Sequence, residues 1–187
     1  VWFEVEKEYE KYLCYERSDA FLIGLLSLAM RENHDIECSA PVTDELLYNI
    51  NTYIIPSLTK YGKCLHKIKI TSPMAPALET AGGVGTGCSC GVDSFHSILS
   101  NINSEYSFCK LTHLCLNSVG SFSNPEIDDD LVETRRKAVY EIANKLGLKA
   151  VVTNSNFADA FWQDHLLTHT YSSTFAVPGV ATTYTVL

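Results

Sequence analysis

In the first half of the chain, apolar positions recur at helical spacing in two stretches. Asp19 to Arg31 reads as one helix, and after Thr43 the positions Leu46, Leu47, Ile50, Ile54 and Leu58 line one face of a second. Thr43 is placed to cap that second helix, Pro56 to kink it and Gly62 to close it. Apolar runs at Trp2–Val5 and near Ile36–Ser39 read as short strands, and His66-Lys67-Ile68-Lys69-Ile70 alternates like a strand with one wet face. Thr71 to Gly82, with Pro73 and Pro76, reads as a connector. From Gly83 onward strand and helix patterns alternate. The order is a strand into the glycine loop, a helix over 94–103, a strand Leu111–Leu116, a helix over 129–146, a strand Lys149–Thr153 and a helix near 157–169. Alternation of this kind predicts a parallel sheet with right-handed crossovers. The expected fold is α/β, with a small α/β accessory region over 1–80 and a parallel-sheet, Rossmann-like nucleotide-binding domain over 83–187.

The helix expected after Ser94 repeats apolar residues at Phe95, Ile98, Leu99 and Ile102, so Asp93 or Ser94 falls where an N-cap belongs. The run Gly85-Thr86-Gly87-Cys88-Ser89-Cys90-Gly91-Val92-Asp93-Ser94 feeds that N-terminus with small residues. A helix start offers backbone N–H groups without intrahelical partners and the positive end of the macrodipole, which together receive anions, phosphate above all. In parallel α/β sheets ligands bind beyond the carboxyl ends of the strands. Those ends are expected at Gly87–Ser89, Asn117–Gly120 and Thr153–Asn156.

Three nucleotide loops compete for the segment. A Walker loop needs Lys and Ser or Thr after its second glycine, yet the nearest downstream lysine is Lys110. The dinucleotide fingerprint is met at Gly85 and Gly87, fails at Cys90, and finds Asn117 rather than an acid at the end of the next strand. The third pattern, Ser-Gly-Gly-x-Asp-Ser after a buried strand, is matched by Ser89-Cys90-Gly91-Val92-Asp93-Ser94 everywhere except Cys90.

On that motif the chain resembles the PP-loop ATP pyrophosphatase group of the adenine nucleotide alpha-hydrolase-like superfamily. The resemblance implies ATP and magnesium as cofactors, adenylation of a substrate carbonyl oxygen with release of pyrophosphate, and displacement of AMP by a nucleophile. The nucleotide-binding set it implies is Gly87, Ser89, Cys90, Gly91, Asp93, Ser94 and Asn117, with Asp93 and Ser94 as the catalytic pair and Asp93 near the magnesium. Ser89 and Ser94 would offer hydroxyls and amides to pyrophosphate, Gly91 would permit close approach, and Asn117 would contact the adenosine. Cys90 departs from the pattern, because a side chain there narrows the loop and restricts its backbone. An alternative is a nucleotide-binding or regulatory module with a degenerate loop and no turnover; a dinucleotide-dependent oxidoreductase ranks behind both. The acceptor would be a small molecule or a tRNA, and homo-oligomerisation stays open. The tail from Ala176 to Leu187 shows no clear further unit, so the nucleotide domain is expected to be truncated at its C-terminus.

Other constellations have plainer readings. Asp128, Asp129 and Asp130 sit where acids complement a helix dipole, and Gly147 where a helix ends. Asn117 can equally begin an Asx turn, and Ser155 or Asn156 can cap a following helix. Cys88 and Cys90, with Cys109 and Cys115, lack the spacing of a zinc knuckle, and Cys90 reads as a passive replacement for glycine, with a reactive thiol as the alternative. His165 and His169 share a helical face beside Asp164 but lack the glutamate of a zinc peptidase motif. Lys60, Lys63, Lys67 and Lys69, with His66, are the one basic concentration and read as a solvated face.

With 46% hydrophobic and 19% charged residues in 187, the chain has enough apolar content for a substantial core. A net charge of −8 argues against nonspecific nucleic-acid binding. The longest apolar run, Ala20 to Met30, falls short of the roughly 20 residues of a membrane span, so no membrane partner is expected. No secretory leader is legible at Val1–Glu6, and seven scattered cysteines suggest reduced thiols and a cytoplasmic location.

Overall fold

The structure, a computed structural model, describes residues 2–62, 64–79, 81–118, 129–156 and 184–186, without the side chains of 129–131 and 184–186. Its elements begin with β1 (Phe3–Val5), a 3-10 helix (Lys7–Tyr12), α1 (Asp19–Glu32), β2 (Ile36–Glu37) and β3 (Val42–Thr43). Next come α2 (Asp44–Asn49), a π-helical turn (Ile50–Ile54), α3 (Ile55–Tyr61), β4 (Ile70–Thr71) and β5 (Met74–Ala75). Then follow β6 (Gly83–Gly87), α4 (Val92–Asn101), β7 (His113–Ser118), α5 (Asp129–Leu146), β8 (Lys149–Ser155) and β9 (Tyr184–Val186). Two compact units result: Val1–Leu13 with Thr80–Leu187, and Cys14–Glu79.

The larger unit is a mixed α/β layer with a mostly parallel sheet, compatible with a Rossmann-like fold. Its strand order is β1-β8-β7-β6-β9, in which β6, β7, β8 and β9 run parallel and β1 lies antiparallel on the β8 edge. The order grows from β6 outward through β7 to β8 and then reverses to β9, so β6 marks the switch point where α/β sheets open a crevice. Alternation along the strands divides the faces. Val84, Leu114, Leu116 and Ala150 pack with Ile98 of α4 and with Val139 and Ala143 of α5. Val151 faces the other way and packs with Tyr9 of the 3-10 helix. Gly147 ends α5 in the left-handed region at φ 67°, and Leu148 N–H donates to Ala143 O at 2.8 Å, the expected helix stop.

The first thirteen residues, read from sequence with the accessory region, belong to this unit. Phe3, Glu4 and Val5 pair with Ser155, Asn154 and Thr153. Ser155 Oγ donates to Trp2 O at 2.6 Å, and Trp2 N–H donates to Asn156 Oδ1 at 3.0 Å. β8 runs on to Ser155, and both side chains hold the N-terminal strand; the helix that Ser155 or Asn156 was expected to cap begins outside the described residues. The helix expected near 157–169, with His165 and His169, lies outside the described residues, as does Asp128.

In the smaller unit, Leu22, Leu26 and Met30 of α1 pack with Val42, Ile50, Ile55 and Ile68. The helix expected over 44–61 forms, with a π-helical turn before Pro56 in place of a sharp break. Ile55 N–H donates to Ile50 O, a wider loop that accommodates the residue before a proline with no amide hydrogen. Thr43 precedes α2, but its hydroxyl donates to Asp19 Oδ2 and its amide to Asp19 Oδ1 instead of capping. Of the expected basic strand only Ile70 pairs, and the pairing runs on to Thr71 of the expected connector, in parallel with β2. Lys67 and Lys69 are exposed while Ile68 is buried, as the alternation predicts.

Candidate functional site

The glycine-rich segment leaves the sheet at the switch point. β6 ends at Gly87, Cys88 N–H still donates to Cys115 O at 2.8 Å, and α4 begins at Val92. The cap is therefore Gly91, with extended angles (φ −91°, ψ 171°), and the helix starts earlier than the sequence suggested. Val92, Asp93 and Ser94 become its first three residues. No side chain caps them, so their amides remain the donors of an open helix start, and Asp93 stands in the first turn.

Ser94 reaches back across the loop. Its Oγ accepts Ser89 N–H at 3.0 Å and lies 2.9 Å from Ser89 Oγ, so the two serines expected to meet phosphate close the loop on each other. A Cβ added at Gly91 would stand 3.4 Å from Ser89 Oγ, an ordinary contact. Its φ is one that any residue adopts, so neither backbone nor space demands glycine at this cap.

Cys90 shows what its position demands. Its φ is 63°, in the left-handed region, which costs a non-glycine residue about 1–2 kcal/mol. The side chain at Cys90 does not move the backbone out of the glycine-favoured region; the cysteine bears that conformation. The side chain is half-buried against the core that contains Cys88. Burial pushes the Cys88 thiol up, opposed by the nearby Cys90 amide and reinforced by the Cys90 thiol. Burial, with Cys88 nearby, pushes Cys115 up to about 12. All seven cysteines are free, and no cluster of three metal-ligating side chains occurs among the described residues.

Asn117 lies inside β7, half-buried, and its Oδ1 accepts the Thr153 hydroxyl at 2.9 Å across to β8. The residues that an Asx turn from Asn117 would enter lie outside the described residues. The loop residues Gly87, Ser89, Cys90, Gly91, Asp93 and Ser94 thus sit together at the end of β6, while Asn117 sits two strand positions beyond Cys115 on the neighbouring strand.

Two cavities escaped the sequence reading because their residues are distant in the chain. A cleft of about 120 Å³ near the carboxyl ends of β7 and β8 is lined by Glu4, Glu6, Ser118, Arg136 and Asn154. Another of about 710 Å³ opens at the opposite strand ends, among Tyr9, Tyr12, Thr112, His113 and Lys149. There, burial and then Lys149 hold the His113 pKa below its ordinary value. No helix among the described residues is long and apolar enough to cross a membrane. Comparison of the chain with family models, with curated proteins and with solved structures finds no match.

Proposed function

We propose that the larger unit binds ATP at the Ser89–Ser94 loop and that the protein is a PP-loop type ATP pyrophosphatase, adenylating a small-molecule or tRNA substrate in the cytoplasm. One observation carries the reading: a Ser-Cys-Gly-Val-Asp-Ser loop leaves β6, an interior parallel strand, at the strand-order reversal and runs into an uncapped helix start. The fit of the phosphates is supported by the facing hydroxyls of Ser89 and Ser94 beside the uncapped helix start. Asp93 suits magnesium, which takes one or two carboxylates and completes its shell with phosphate oxygens and water. When bound, magnesium would supply charge neutralisation to the leaving pyrophosphate. The chain's own part is preorganisation: amides of 92–94 aimed outward, and serine hydroxyls already fixed at the loop. Asn117, with its carbonyl oxygen engaged by Thr153, would offer its amide hydrogens to the adenosine.

The left-handed Cys90 favours a second reading, a nucleotide-binding module without turnover, because a strained side chain stands where the resembling group has glycine. Calorimetric titration of ATP with and without magnesium, followed by a pyrophosphate-release assay, separates the two. Magnesium-dependent binding lost in Asp93→Ala, together with pyrophosphate release, is the expected result. Binding without release under any acceptor tried supports the module, and absence of binding by both wild type and Cys90→Gly rejects the nucleotide reading.

A further inference from the structure

We propose that the cavity at the amino ends of β6, β7 and β8 is a second ligand site, built for a small aromatic monocarboxylate. The site does not rest on the nucleotide reading, because it opens at the strand ends opposite the Ser89–Ser94 loop, a strand length of roughly 15 Å away.

Size, wall and charge carry it. A volume of about 710 Å³ falls in the range of small-molecule sites, about 300–1,000 Å³. The cavity lies within one compact unit, and its wall comes from segments that meet only in the fold: the 3-10 helix, the first residues of β7 and β8, and Gly82–Gly83 where β6 begins. Its apolar part is Tyr9, Tyr12, Leu111 and Leu148. Tyr9 and Leu111 are buried, and Tyr9 meets His113 edge-on, with ring centroids 6.2 Å apart and planes at 72°. Packing holds these two side chains before any ligand arrives, so a flat apolar ring can shed water there at little cost in ordering the wall.

The polar part is fixed as well. Thr112 Oγ1 accepts Val84 N–H at 2.8 Å and donates to Val84 O at 3.0 Å, which locks it to the neighbouring strand. It stands 2.7 Å from His113 Nδ1 and so holds the imidazole in place. Burial, then Lys149, keep the His113 pKa below 6.5, so the ring is neutral at pH 7 and adds no charge. The charged side chains of the wall are Lys11 and Lys149 against Glu8, an excess of one positive charge in a chain of net charge −8. Neither lysine takes part in a salt bridge among the described residues; Lys11 Nζ stands 4.8 Å from the centroid of the Tyr12 ring. A monoanion balances that excess and a phosphate dianion overruns it. Two exposed ammonium groups, with no arginine fork beside them, suit a single carboxylate at the rim, the ring lying inward against the tyrosines.

The test titrates the isotope-labelled full chain with naphthoate, and with the neutral naphthylmethanol and cationic naphthylmethylamine of similar shape, following amide chemical shifts. Naphthoate should bind with a Kd of about 1 mM or tighter, the scale for a fragment of its size. It should shift the amides of residues 82–83, 112–113 and 147–149, with the alcohol weaker and the amine weakest. Lys149→Glu, at an exposed position, should weaken naphthoate by roughly tenfold or more, the scale of one hydrogen bond to a charged group, and leave the alcohol unchanged. Lys60→Glu makes the same change of charge in the smaller unit and should leave all three probes unchanged. The dispersion of each amide spectrum shows that the variant is folded. Equal binding of the three probes, no binding of naphthoate at several millimolar, or shifts centred on residues 87–94 overturns the site. So does an unchanged naphthoate affinity in Lys149→Glu, or an equal loss in Lys60→Glu.

Discussion

At the residue scale, Cys90 sets a conflict between backbone and side chain. Its left-handed φ is easy for glycine, tolerable for cysteine and poor for a β-branched residue. Cys90→Val should therefore fall below Cys90→Gly in stability by about 1–3 kcal/mol, measured as a shift of the urea midpoint at constant slope. If the two variants unfold together, the loop does not hold this turn in solution. Ser94 offers a second test. Ser94→Ala strips the acceptor from Ser89 N–H at an exposed site, so it should cost no more than about 1 kcal/mol of stability while weakening ATP binding more visibly. A stability loss without a change in affinity would make the serine bridge a purely structural device.

At the element scale, α4 carries its packing on a single residue. The spacing of Phe95, Ile98, Leu99 and Ile102 promised one buried face, yet Ile98 is fully buried while Phe95 is 37% and Leu99 67% exposed. Ile98→Ala should cost about 2–5 kcal/mol, and Leu99→Ala within about 0.5 kcal/mol, as read by thermal or urea unfolding. Periodicity located this helix but could not say which edge of the apolar stripe meets the sheet. Strand positions were legible for the same reason that the cap was not. Buried strands such as β7 declare themselves by apolar runs, whereas Gly91 became the cap through loop geometry that no residue type dictates. Glu6 lay wholly outside the reach of pattern. Its carboxylate accepts the Tyr140 hydroxyl and the Val152 amide, joining residues more than a hundred positions away. Burial, then the hydrogen bond and charge of Glu6, push Tyr140 up to about 12, against Arg136. Since the phenol ionises near its ordinary 10.0 when unfolded, its contribution is whole below that value and is lost as pH rises toward 12. Tyr140→Phe should flatten the fall in stability across this window, measured by urea unfolding at stepped pH; an unchanged slope would detach Tyr140 from the alkaline limb.

At the scale of the whole molecule, the sheet is assembled from segments on either side of the smaller unit. The sequence announced the parallel strands β6, β7 and β8 but neither β9, in a tail read as holding no further unit, nor the return of β1, because a three-residue strand has too few positions to reveal its partner. Tyr9, 5% exposed and packed on Val151, ties that N-terminal segment down. Tyr9→Ala should destabilise the sheet by about 3 kcal/mol or more, read as faster hydrogen exchange at β8 amides with those of α1 unchanged. Equal acceleration in α1 would mean that the two units open together. The pairing also imposes an order on folding. Trp2 bonds Asn156, 154 positions downstream, whereas the core of residues 14–79 is contiguous in sequence. On a ribosome adding about 5–20 residues per second, the first strand waits roughly eight to thirty seconds for its edge to exist. The smaller unit has everything it needs well before then. Newly made chains pass through an interval in which the middle is folded and the beginning is an unpaired strand awaiting its acceptor, and this is when edge-to-edge association with other chains is most to be feared.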